Sequence, residues 1–80
     1  MDYYIIGTDN CSWCIKAKEL LYERKDVYEE IDLEPWVLGL LRMNNLKTIP
    51  QIFDHTGKHI GGYSDLVEHL QEQDRTWEAL

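Results

Sequence analysis

Cys11-Ser12-Trp13-Cys14 is the stretch that decides how this chain is read. It follows a short apolar run, Tyr3-Tyr4-Ile5-Ile6, and leads into a pattern in which Cys14, Ala17, Leu20 and Leu21 recur at helical spacing. Residues three apart on a helix share one side, with Cβ atoms about 5–6 Å apart, close to what a disulfide requires. A helix N-terminus also supplies partial positive charge and free N–H groups, which stabilise a thiolate. The pattern therefore predicts an acidic, nucleophilic Cys11, with Cys14 placed to resolve whatever Cys11 captures.

The remaining composition bounds the alternatives. Eighty residues make one domain, expected over 1–80 with a polar tail from about 71. So short a chain buries only about 60% of its unfolded surface. Small secreted domains offset this with several disulfides, but here the two cysteines are the only ones. A bridge between them closes too small a loop to restrain the unfolded chain much, so they read as chemical rather than structural. The longest apolar stretch, Trp36 to Leu41, falls far below the roughly 20 residues of a membrane span. Asp2 interrupts the start, which argues against a signal peptide and for a reducing cytoplasm. The net charge of −7, from 15 acidic and 8 basic residues, argues against nucleic-acid binding, which needs phosphate-neutralising Lys and Arg. A zinc site needs four ligands, commonly in two pairs, and His55, His59 and His69 form no second compact pair.

Seven elements are expected along the chain. Tyr3 to Gly7 reads as a buried strand, Ser12 to about Lys25 as a helix, and Val27 to Leu33 as a second strand. Glu34-Pro35 opens a second helix, because proline's missing N–H costs nothing at the first helical position. That helix carries Trp36, Val37, Leu40, Leu41 and Met43, with Trp36 expected in the core, and Asn45 suits a left-handed helix end. Gln51 to Asp54 and His59 to Gly61 form a hairpin, with Gly57 at the positive-φ position of its loop. Ser64 is the expected N-cap of a third helix with Leu66, Val67 and Leu70 inward. Trp77, beyond it, either packs back or marks a contact. The order β-α-β-α-β-β-α implies a four-stranded mixed sheet flanked by three helices, its first βαβ unit parallel and right-handed. A C-x-x-C beside such a unit points to the thioredoxin-like fold of class α/β.

Two further segments sharpen this. Thr48-Ile49-Pro50-Gln51-Ile52-Phe53 and His59-Ile60-Gly61-Gly62-Tyr63-Ser64-Asp65-Leu66, together with Cys11 to Leu21, closely resemble the glutaredoxin family in order and spacing. The resemblance runs from Tyr4 to about Leu70 and is nearest to the small dithiol glutaredoxins of bacteria and phages. It implies a glutathione-dependent disulfide oxidoreductase, with Cys11 and Cys14 catalytic and glutathione as reductant. It also implies that Pro50 is cis, turning the backbone of Ile49 towards the cysteines, with Thr48, Ile49 and Pro50 among the glutathione-binding residues. Gly62, Tyr63, Ser64 and Asp65 are then the anchor for the γ-glutamyl end: glycines admit close backbone approach, the helix N-terminus holds a carboxylate, and Asp65 pairs with an ammonium. Trp13 flanks the same groove, and Lys18 either adds positive potential at the site or is a solvated helix charge. A monomer serving disulfide clients, ribonucleotide reductase among them, is what the family implies.

The chain also departs from the family pattern. Thr8, followed by Asp9, stands where many members carry Lys or Arg, so weaker glutathione affinity is expected; Arg42 and Lys47 are candidate substitutes at no motif position. Ser12 replaces the common proline, which keeps open a [2Fe–2S] cluster on Cys11 and glutathione. The missing cation also leaves room for a redoxin fed by thioredoxin reductase, a reading that Ser64-Asp65 argues against.

Overall fold

The computed structural model describes the backbone of residues 1–79 and the side chains through Arg75. The chain runs β1 (Tyr3–Gly7), α1 (Ser12–Glu23), β2 (Tyr28–Asp32), α2 (Pro35–Met43), β3 (Gln51–Asp54), β4 (His59–Gly61) and α3 (Tyr63–Ala79). The strands form one sheet in the order β2-β1-β3-β4. β1 pairs parallel with β2 and antiparallel with β3, and β3 pairs antiparallel with β4. This is the expected thioredoxin-like fold.

Alternation along β1 sends side chains to two core layers. Tyr3 and Ile5 join Ala17 and Leu21 of α1, Ile52 of β3, and Leu66 and Leu70 of α3 on one face. Ile6 joins Val37 and Leu41 of α2 on the other. Both helices packed on the first face meet the sheet with apolar residues at i, i+3 and i+4 spacings, as a 3.6-residue period requires.

Both of the first two helices end in the same hydrogen-bonded motif. After α1, Lys25 adopts φ 62°, its N–H donates to Tyr22 O at 3.0 Å, and Asp26 N–H donates to Leu21 O at 2.9 Å. The helix thus stops two residues short of the expected Lys25. After α2, Asn45 takes φ 59° as expected, with N–H bonds from Asn45 to Arg42 O and from Leu46 to Leu41 O. Pro35 is the first residue of α2, and Gly57 takes φ 88° in the hairpin loop.

Three expectations need correction. Trp36 is 63% exposed, not core. Val37 and Leu41 take the inward line of α2, and the roughly 100° turn per residue carries Trp36 off it, where its indole N–H donates to Glu34 Oε2 at 2.8 Å. Ser64 is not the N-cap of α3. The helix already begins at Tyr63, and Asp65 Oδ2 instead accepts from the Gly62 N–H at 3.0 Å, the reach-back half of a capping box. The stretch from 71 is not a tail but the continuation of α3. Asp74 there receives two bonds from Arg24, at 2.9 and 3.0 Å, and Gln73 Oε1 accepts from the Tyr3 hydroxyl at 3.5 Å. The Trp77 side chain lies outside the described residues.

Candidate functional site

The site begins where β1 ends. Gly7, the last residue of β1, backs directly on Cys14: a Cβ built there meets Cys14 Sγ at 2.6 Å, closer than real side chains approach. Glycine at this position lets α1 dock with Cys14 fully buried against the strand end. Burial pushes the Cys14 thiol up to about 11, its hydrogen bond with Cys11 adds to the rise, and a backbone bond from Thr8 opposes it.

Cys11 is the N-cap of α1 and is partly exposed, and both cysteines are free thiols. Its sulfur accepts the Cys14 backbone N–H at 3.3 Å, so the first turn of the helix points a donor at the atom that carries charge during exchange. The Cys11 thiol in turn donates to the Ile49 carbonyl at 3.7 Å. The Ile49–Pro50 bond is cis, as the resemblance implied, and the Ile49 carbonyl faces Cys11 at the N-cap of α1. One thiol is therefore reachable and the other is held protonated behind it, three residues along the helix.

A groove of about 340 Å³ opens beside Cys11. Trp13, Thr48, Ile49, Pro50, Gly62, Tyr63 and Ser64 line it. Seven of the eight residues expected to bind the ligand are thus brought together from α1, the loop before β3, and the start of α3. Trp13 is 53% exposed and packs its ring against Tyr63, centroids 5.4 Å apart. The eighth, Asp65, does not line the groove; its carboxylate accepts from the N–H of Gly62, which does.

The cations are distributed differently from expectation. Lys18 is engaged: its ammonium lies 3.0 Å from Glu30 and 3.5 Å from Asp9. Burial works against its charge, but the hydrogen bonds and charges of Glu30 and Asp9 together hold Lys18 above the ordinary lysine value. Arg42 and Lys47 line a second cleft that shares Thr48 and Ile49 with the groove. Lys16, which sequence reasoning passed over, sits 4.5 Å above the Trp13 ring, a cation–π contact that places a positive charge at the groove's α1 side. The signal was present as Trp-x-x-Lys on a helix. Among the described residues, no group of three or more His, Cys, Asp or Glu side chains converges as a metal site would require. No helix among them is long and apolar enough to cross a membrane.

This geometry agrees with what the chain is similar to. A glutaredoxin family model matches residues 3–60. Hybrid peroxiredoxin hyPrx5 of Haemophilus influenzae is 38% identical over 68 residues, covering 82% of this chain and 28% of that protein. Glutaredoxin 1 of Rickettsia felis is 38% identical over 69 residues, covering 79% of this chain and 66% of its own length. The chain thus spans less than two thirds of both relatives. A crystal structure of a buckwheat glutaredoxin–glutathione complex superposes with a TM-score of 0.75 at 25% identity, over 89% of this chain and 69% of that one. With a matching family model over most of its length, and with the fold in accord, the chain belongs to the glutaredoxin family.

Proposed function

We propose that this chain is a glutathione-dependent thiol–disulfide oxidoreductase, a single domain over 1–80 acting as a monomer in the cytoplasm. It reduces glutathione mixed disulfides and protein disulfides, with ribonucleotide reductase among its clients. One observation carries the reading: the partly exposed Cys11 sulfur meets the Ile49 carbonyl on the rim of a groove lined by Trp13, Thr48, Pro50, Gly62, Tyr63 and Ser64.

In the reaction, the Cys11 thiolate attacks the glutathione sulfur of a mixed disulfide. The S–S bond breaks, the client leaves as a thiolate and takes up a proton, and Cys11 carries glutathione. A second glutathione thiolate attacks that sulfur, which yields oxidised glutathione and restores Cys11. On a protein disulfide, Cys11 forms a mixed disulfide with the client. Cys14 then loses its proton, attacks the Cys11 sulfur and releases the client dithiol. Two glutathione molecules supply the electron pair that reopens the Cys11–Cys14 bridge. On this reading an extended ligand runs its cysteinyl backbone along Thr48 and Ile49 and sets its γ-glutamyl carboxylate at the start of α3.

A Cys14→Ser variant incubated with oxidised glutathione tests this. The expected product is one glutathione per chain, attached at Cys11. A chain that stays unmodified while small alkylating agents still react with Cys11 counts against a glutathione groove. The rival reading, a redoxin reduced by thioredoxin reductase, draws support from Thr8 and from an Asp65 carboxylate already engaged with Gly62.

A further inference from the structure

The groove's wall at Thr48 lies outside every helix and strand. Its support comes from Gln51, a buried polar residue at 5% exposure. The Gln51 Nε2 donates to the Thr48 carbonyl at 2.9 Å and lies 3.4 Å from the Thr48 hydroxyl. The amide nitrogen is thereby committed, and its oxygen must find a donor elsewhere. His59 Nε2 stands 2.7 Å from that oxygen. An amide oxygen only accepts, so the His59 nitrogen facing it carries a proton. The His59 ring is itself held over Phe53, centroids 5.0 Å apart. A hydrogen-bonded relay therefore crosses the sheet from β4, through β3, to the loop whose next residue faces Cys11.

We propose that Gln51, oriented by His59, is a positioning residue: it fixes the Thr48–Ile49 backbone so that the groove is preformed for the cysteinyl part of its ligand. The inference rests on the proposed glutathione groove and names the residues that hold it in shape. Neither side chain belongs to the groove lining, so their effect is on ligand binding and not on sulfur chemistry. Glutamine suits the task because it offers a donor to Thr48 and an acceptor to His59 at once. A glutamate loses the donor, and a methionine of similar length loses both.

The test is steady-state kinetics with a small glutathione mixed disulfide, beside the rate of Cys11 alkylation by iodoacetamide. Gln51→Met is expected to raise KM by roughly 5- to 10-fold with kcat nearly unchanged, the effect of losing the hydrogen bond that fixes the Thr48 carbonyl. Cys11 alkylation stays at the wild-type rate. His59→Phe keeps the ring stack on Phe53 and removes the donor, and should raise KM about 3-fold. His59→Gln, which keeps an N–H for the amide oxygen, should return KM towards wild type. An unchanged KM in both Gln51→Met and His59→Phe overturns the proposal. So does an equal fall in kcat and alkylation rate, which marks general loosening of the site. Should Gln51→Met fail to fold, the pair of surface His59 variants decides alone: a KM that does not separate Phe from Gln overturns the relay. Wild-type protein inactive with glutathione substrates would instead sink the proposed function and leave the hydrogen-bonded relay to be judged by Thr48 amide exchange in the same variants.

Discussion

The two sulfurs differ by position alone. Cys11 caps the helix, partly exposed, with an N–H aimed at it, while Cys14 lies one turn deeper with burial holding its proton. The roles should separate on mutation. Cys11→Ser abolishes all exchange. Cys14→Ser leaves deglutathionylation near the wild-type rate and impairs reduction of protein disulfides, because the escape step is lost. Assays with a small glutathione mixed disulfide and with insulin distinguish these outcomes, and the reverse pattern reverses the assignment. Thr8 is the second residue with a consequence. It offers Cys11 only a backbone carbonyl, at 3.4 Å from the Cys11 nitrogen, where a cation would complement an anionic ligand. Thr8→Lys is expected to lower KM for glutathione substrates by up to roughly five-fold, the range of an exposed ion pair. No change in KM would count against the expectation that Thr8 weakens glutathione binding.

At the scale of elements, the site depends on how closely α1 approaches the end of β1. Gly7→Ala puts a methyl into Cys14 Sγ and should cost about 1–3 kcal/mol by overpacking, read as a lower urea midpoint. Stability equal to wild type would mean that α1 shifts freely, and the cysteine geometry with it. What could be read from the sequence follows the reach of each signal. Pro35, Asn45 and Gly57 act on their own backbone, so the start of α2, its end and the hairpin loop were legible in the residues themselves. Lys25 has no such preference; its left-handed conformation is set by the bonds that the Lys25 and Asp26 N–H groups return to α1, and the helix end was misplaced accordingly. Trp36 was misread because apolar character does not reveal which side of a short helix meets the sheet. The Asp65 bond to Gly62 was not legible, because it depends on where α3 starts, one residue before the cap that Ser64 suggested. The cis bond at Pro50 was legible only through family resemblance. The Gln51–His59 link spans two strands across an irregular register at Ile52/Phe53, which no local pattern encodes.

At the scale of the whole molecule, α3 binds the ends of the chain's logic together. Its later turns return to α1 through Arg24 and Asp74, and to β1 through Tyr3 and Gln73. The Arg24 hydrogen bonds hold the Asp74 carboxyl below its ordinary value. A carboxylate with a depressed native pKa stabilises the fold above its unfolded pKa of about 3.9, and that contribution is lost as pH falls through the lower native value. Asp74→Asn should therefore lower Tm slightly at pH 7, and the difference from wild type should vanish in strong acid. A difference that persists there would assign the effect to packing.

The central claim, that the groove beside Cys11 makes this dithiol glutathione-dependent, is tested most directly by one paired measurement. Reduction of a glutathione mixed disulfide is followed through NADPH oxidation, once with glutathione and glutathione reductase and once with thioredoxin reductase. Turnover with the glutathione system and none with thioredoxin reductase is the predicted result. Turnover with thioredoxin reductase alone would contradict it, and would make Thr8-Asp9 and the engaged Asp65 carboxylate the features that define this chain.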